Sequence, residues 1–330
     1  MKLTLEQIKK ITFGAIDIAE TELGFSFSRF TEKQREYYAI YRDNDYLKKT
    51  LSAPGVRFSF LTDSKTFSFD YSVRVAECPT GGCTRFDLYI DDILSSHFGI
   101  TMGDTDEHFE IELGDGAKKV ELYFPWTKKV YLSNVTLDDG ATLAPMKRAR
   151  TMLNYGDSIT HGYFALHPSL SYAVKLARML DADCYNKAIG GDRFFPELLE
   201  LDEPVNPDII TVAYGTNDWA RHTRATVTKR SRDFLKKLSA KFPKAKIFVI
   251  TPIWRGREDE PKYMEKFGGY LTEVHDIIAE NCKDLSNITL IDGMKLTPHD
   301  DFFYEDGLHP NDLGMCIYAD NLYREIEKHL

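Results

Sequence analysis

Cysteine is scarce and odd in number, five in 330 residues, which excludes the disulfide framework on which small secreted domains depend. Cys78 and Cys83 flank a Pro-Thr-Gly-Gly turn, but no second pair stands at metal-ligand spacing. Neither a hairpin disulfide nor a zinc site is therefore expected, and the cysteines read as reduced. Long apolar runs are also missing: no stretch of about 18 such residues could span a bilayer. Residues 1–12 carry basic side chains without the apolar core and small-residue cleavage site of a secretory signal, so a cytoplasmic location is expected. Positive charge is in short supply, with 42 Lys and Arg against 51 Asp and Glu and a formal charge of -9. That balance argues against nucleic acid or an anionic membrane as partner.

The apolar content of 43% and charged content of 28% belong to an ordinary folded chain, long enough for two domains. The two halves carry different periodicities. Up to about residue 145, apolar residues alternate with polar ones, as over 56–61, 67–71 and 120–124. Turn clusters at 79–82, 91–92, 114–116 and 138–140 separate these runs, and short helices fit 5–11 and 32–41. Strands of that spacing predict an all-β sandwich or jelly roll over 1–145.

Over 146–330 the pattern changes to apolar strands alternating with longer amphipathic segments. Strands are expected at 151–155, 184–186, 209–214, 247–251 and 288–291. Helices are expected at 171–180, 227–242, 263–281 and from 312. Five strands with crossover helices make a doubly wound parallel sheet, whose ligands sit beyond the carboxyl ends of the strands.

Four segments converge on that rim: Gly156-Asp157-Ser158-Ile159-Thr160, Gly190-Gly191-Asp192, Gly215-Thr216-Asn217-Asp218 and Asp306-Gly307-Leu308-His309. Taken alone, Ser158 could be a helix cap, the glycine pair a tight turn, and Asn217 another cap. Together they supply a nucleophile, a base and its orienter. Asp306 lies three residues before His309, so a turn can bring the carboxylate onto Nδ1 and leave Nε2 to take the serine proton. Donors for a developing oxyanion are the backbone N–H groups of Ser158 and Gly191 and the side-chain amide of Asn217. Asp157 is expected to brace the turn. Thr160 stands where a nucleophile elbow needs glycine, which sets the chain apart from α/β-hydrolases.

These blocks resemble those of the SGNH (GDSL-type) hydrolase superfamily, over residues 148 to 330. The resemblance implies a flavodoxin-like five-stranded parallel sheet, Ser158 as nucleophile, His309 as base, Asp306 as its orienter, and Ser158, Gly191 and Asn217 as the oxyanion hole. It implies no metal and no cofactor. The β-rich first half and the stretch 158–163 also resemble two-domain carbohydrate acetyl esterases.

Aromatic and polar residues near the rim, Tyr163, His167, Arg193, Trp219, His222, Trp254 and Arg255, suit a sugar better than a long acyl chain. Tyr163, Arg193, Trp219 and Trp254 are the expected substrate contacts. The expected activity is hydrolysis of O-acyl, foremost O-acetyl, esters of an oligosaccharide or other small ester. A lipase, lysophospholipase or thioesterase on the same scaffold stays open, as does a glycan-binding protein with a vestigial site. Homo-oligomerisation is left open.

Overall fold

The computed structural model describes residues 1–78, 80–256 and 262–330. Pro79, part of the expected turn at 79–82, lies outside them. Two compact units are present. The first comprises Met1–Ala149, His167–Ser169 and Asp183–Tyr185, and the second Arg150–Leu166, Leu170–Ala182 and Asn186–Leu330.

The first unit is a sandwich of two antiparallel sheets. One runs in the order Thr12–Phe13, Arg57–Thr62, Lys118–Tyr123, Thr84–Ile90, Ile93–Thr101, with Ala144–Pro145 paired to Arg57–Thr62. The other runs Asp17–Thr21, Gly24–Ser28, Val130–Leu137, Thr66–Val73, Thr105–Glu112. In Thr66–Val73 every second residue, Phe67, Phe69, Tyr71 and Val73, is buried. That is the burial a period-two sequence produces when one face meets a second sheet. Between the layers, Phe27 meets Phe58 and Phe124 edge-on at 5.8 and 4.9 Å. Helices Leu5–Ile11 and Glu32–Tyr41 each begin with a Thr-x-x-Gln capping box, Thr4 with Gln7 and Thr31 with Gln34, the reciprocal pairing that satisfies two orphan N–H groups. All five cysteines are free thiols.

The five-stranded parallel sheet has the flavodoxin-like strand order 2-1-3-4-5. Its strands are β1 (Arg150–Gly156), β2 (Ala182–Asn186), β3 (Ile209–Ala213), β4 (Lys246–Ile250) and β5 (Ile288–Ile291). The pairs β1/β3, β3/β4 and β4/β5 are parallel. Helices cover the sheet, so β1, β3 and β4 are buried almost throughout, and β4 reads as a continuous apolar run from Ile247 to Ile250. The helices that matter below are α1 (Ser158–His161), α2 (Tyr172–Met179), α3 (Thr216–Arg221), α4 (Arg224–Lys241), α5 (Thr272–Cys282) and α6 (Asp312–Glu327).

One helix differs from expectation. The segment expected to be helical from 263 instead opens with a two-stranded hairpin, Tyr263–Met264 against Gly269–Tyr270, and α5 starts only at Thr272. Gly268 turns the hairpin in the left-handed region, φ +74°. Paired glycines there favour a reversal over a continued helix.

Candidate active site

Switching from β1 to β3 leaves a crevice beyond their carboxyl ends, and the segments that follow the strands meet there. Gly156 closes β1 with almost no space above its Cα: a Cβ would stand 2.1 Å from Thr160 Oγ1. The chain then enters α1, capped by Asp157, whose Oδ1 accepts from the Ile159 N–H at 3.0 Å. Ser158 is the first residue of that helix and is 8% exposed.

Ser158 Oγ lies 2.8 Å from His309 Nε2. His309 Nδ1 in turn lies 2.9 Å from Asp306 Oδ2 and 3.1 Å from Oδ1. The same Oδ1 accepts from the backbone N–H groups of Leu308, at 3.1 Å, and His309, at 2.8 Å. Partial burial pushes the Asp306 carboxyl up, but the hydrogen bonds and charge of His309 outweigh it and hold the group below the usual carboxylate range. An ionised Asp306 obliges Nδ1 to be the protonated nitrogen, so Nε2 presents a lone pair to the serine hydroxyl.

The two other loops are tied to the serine segment. Asn217 Nδ2 donates to Asp157 Oδ2 at 3.3 Å, which leaves the second amide N–H on that nitrogen available. The loop after β2 is joined by Ile189 N–H to Gly156 O at 3.2 Å and by Gly190 N–H to His161 Nδ1 at 3.3 Å. Gly191 adopts φ +84°, a conformation that glycine reaches without penalty. Asp157 is fully buried, and that burial pushes its carboxyl up to about 7. The bond from Ile159 and the charge of Arg255 oppose the shift, while the carboxylates of Asp218 and Asp192 add to it.

Of the expected substrate contacts, three stand at least partly open. The Tyr163 ring stacks on the His309 imidazole, with centroids 5.9 Å apart and 24° between planes. Arg193 Nη1 lies 3.2 Å from His222 Nε2. Trp254 stacks on His299 at 5.7 Å and tilts against Tyr304 at 5.0 Å.

Trp219 is a correction: it is 2% exposed and its indole N–H donates to Gly269 O at 3.0 Å. It packs beneath the hairpin and offers no face to a ligand. His167 also departs from the rim. It belongs to the first unit, with Nδ1 3.2 Å from Asp87 Oδ1.

Phe164 and the Asp157–Asn217 contact were not anticipated. Phe164 is a non-glycine residue at φ +66°, 46% exposed, with its ring 5.1 Å from that of His309. Left-handed backbone at such a residue costs about 1–2 kcal/mol.

Among the described residues, one group of potential metal ligands comes together: Asp87, His97 and His167 in the first unit. The Nδ1 atoms of His97 and His167 lie 2.7 and 3.2 Å from Asp87 Oδ1, and the rings stack 3.6 Å apart at 25°. An ion must lie near the plane of each imidazole that binds it, which closely stacked rings do not permit for a shared ion. The hydrogen bonds that hold Asp87 are the one to His97 Nδ1 and the one from the Ser169 N–H to Oδ2 at 2.8 Å.

Residues 155–316 match the model of the GDSL-like Lipase/Acylhydrolase family. No curated protein matches the chain in sequence. Among solved structures, the chain is similar to a salicylyl-acyltransferase from a tetracycline biosynthetic pathway, with 20% identity, TM-score 0.81, and 96% of this chain and 94% of that one covered. It is similar to a family two carbohydrate esterase from Clostridium thermocellum in complex with cellohexaose, with 18% identity, TM-score 0.62, and coverage of 84% and 93%. An acetyl xylan esterase from the rumen bacterium Butyrivibrio proteoclasticus aligns at 16% identity, TM-score 0.60, over 83% and 90%. At these identities the likeness is one of fold. No helix among the described residues is long and apolar enough to cross a membrane.

Proposed function

From the match of residues 155–316 to the GDSL-like Lipase/Acylhydrolase family model, we propose that the protein is a serine esterase that removes O-acyl, foremost O-acetyl, groups from a carbohydrate. The observation that carries this reading is the unbroken relay from Ser158 Oγ through His309 to Asp306, with contacts of 2.8 and 2.9 Å.

The chemistry follows from the protons. His309 Nε2 takes the Ser158 proton as Oγ attacks the ester carbonyl, and Asp306 stabilises the imidazolium that forms. Negative charge moves to the carbonyl oxygen, for which the Ser158 and Gly191 N–H groups and the second Asn217 amide N–H are the proposed donors, each worth about 3–4 kcal/mol in related sites. Collapse returns the proton from His309 to the departing alcohol and leaves an acyl-serine. Water, activated by the same imidazole, then releases the acid.

Carbohydrate is favoured by partly open Tyr163 and Trp254, whose rings suit the C–H faces of sugars, beside Arg193 as a polar handle. The shared fold with carbohydrate esterases agrees with it. The test is acetate release from a panel of acetylated oligosaccharides by the full chain and by Ser158→Ala. Acetate from the former and none from the latter is the expected result. A wild-type chain whose Ser158 reacts with a fluorophosphonate but which releases no acetate from any sugar would overturn the carbohydrate assignment.

A further inference from the structure

The two turns after α1 set aromatic rings against His309. Gly162 ends the helix at φ +112°, with its N–H bonded to Ser158 O at 3.1 Å, and the Tyr163 N–H bonds the same oxygen at 3.0 Å. Phe164 follows at φ +66°. The turn is fixed on its far side by the Leu166 N–H, which donates to Asp312 Oδ1 at 2.8 Å. The hydroxyl end of half-buried Tyr163 is held close to the chain: a Cβ at position 190 would stand 2.5 Å from it. Phe164 is more open. Its ring is half in water while its backbone sits where glycine is at home. Neither the burial nor the backbone favours phenylalanine there, and strain of this kind gathers at functional sites.

The direction of proton transfer says what that ring faces. The leaving oxygen must come within hydrogen-bond reach of His309 Nε2 to receive its proton, so the body of the alcohol extends along the flank of the imidazole. The carbonyl oxygen points instead to the donors on the loops after β2 and β3. We infer that Phe164 is a specificity-determining residue for the alcohol half of the ester, offering its open face to a leaving group with a C–H-rich face, such as a pyranose ring. This rests on the reading of Ser158 as the acylated residue and His309 as its base.

The experiment crosses two ester series on the full chain. One holds the pyranoside alcohol constant while the acyl group lengthens from acetyl to hexanoyl, and the other holds acetyl constant while the alcohol shrinks from pyranose to ethanol. In Phe164→Ala, kcat/KM for the acetylated pyranoside should fall about tenfold, the scale of one aromatic contact. Ethyl acetate should be turned over as before, the factor should not vary with acyl length, and Phe164→Trp should restore the rate.

Phe164→Gly, relieved of the left-handed strain, should hold its fold and show the same loss. An equal loss on ethyl acetate, or a loss that grows with acyl length, overturns the inference while Ser158 still forms an acyl-enzyme. A wild-type chain that cleaves no ester and whose Ser158 resists a fluorophosphonate overturns both the esterase reading and the inference.

Discussion

His309 Nε2 stands 2.8 Å from Ser158 Oγ across 151 residues of sequence, while the carboxylate that orients it is only three residues away. Activity should therefore rise with pH as His309 loses its proton. The Asp306 carboxylate is stabilised as an anion by His309, and linkage requires that it stabilise imidazolium in return. In Asp306→Asn the ascending limb of kcat/KM should move to lower pH, with a maximal rate reduced by about 10⁴. An unmoved limb would mean that Asp306 is not electrostatically coupled to the base.

Ser158→Ala should reduce ester cleavage by about 10⁴–10⁶ and abolish covalent labelling by a fluorophosphonate, read by intact-protein mass. Residual labelling at full stoichiometry would move the nucleophile elsewhere.

Asn217→Ala should lower kcat by about 10²–10³ with little change in KM, because an oxyanion donor acts on charge that exists only in the transition state. The same substitution removes a donor to Asp157, so a thermal melt should accompany the kinetics. A rise in KM with kcat intact would identify Asn217 as a ground-state contact instead.

Asp157 should make the fold less stable as pH rises. Its carboxyl titrates near 7 in the folded chain and near 4 when unfolded, so between these values the folded state holds the proton that the unfolded state has lost. Stability thus declines from about pH 4 to about pH 7, by roughly 1.4 kcal/mol per unit at most. Asp306 behaves oppositely: with its folded value depressed, its contribution is present above about pH 4 and is lost as pH falls below the folded value. Urea midpoints at pH 5 and pH 8 should differ less in Asp157→Asn than in the natural chain. Equal differences would remove the prediction.

Much of this was legible in the residues. Period-two runs such as 67–71 and the continuous apolar run of 247–250 separate a one-face-buried sandwich from a two-face-buried parallel sheet. Glycines after β1, β2 and β3 mark the loops that meet at the rim. What escaped depends on geometry that no local pattern encodes. The hairpin at 263–270 was hidden because its amphipathic spacing also fits a helix. Trp219 looks like a ligand contact from its neighbours, yet its indole N–H finds a backbone carbonyl 50 residues away. His167 follows Tyr163 closely, but its partner is Asp87, 80 residues earlier. Phe164 carries no sequence mark of its left-handed backbone, since that conformation is ordinarily signalled by glycine.

Because Asp306 gathers the amides of Leu308 and His309 as well as the imidazole, the proposed base and its orienter form one small hydrogen-bonded element. Amide hydrogen exchange at Leu308 and His309 then becomes a direct gauge of how often that element is assembled. Formation of the proposed acyl-serine should slow the exchange of both amides together.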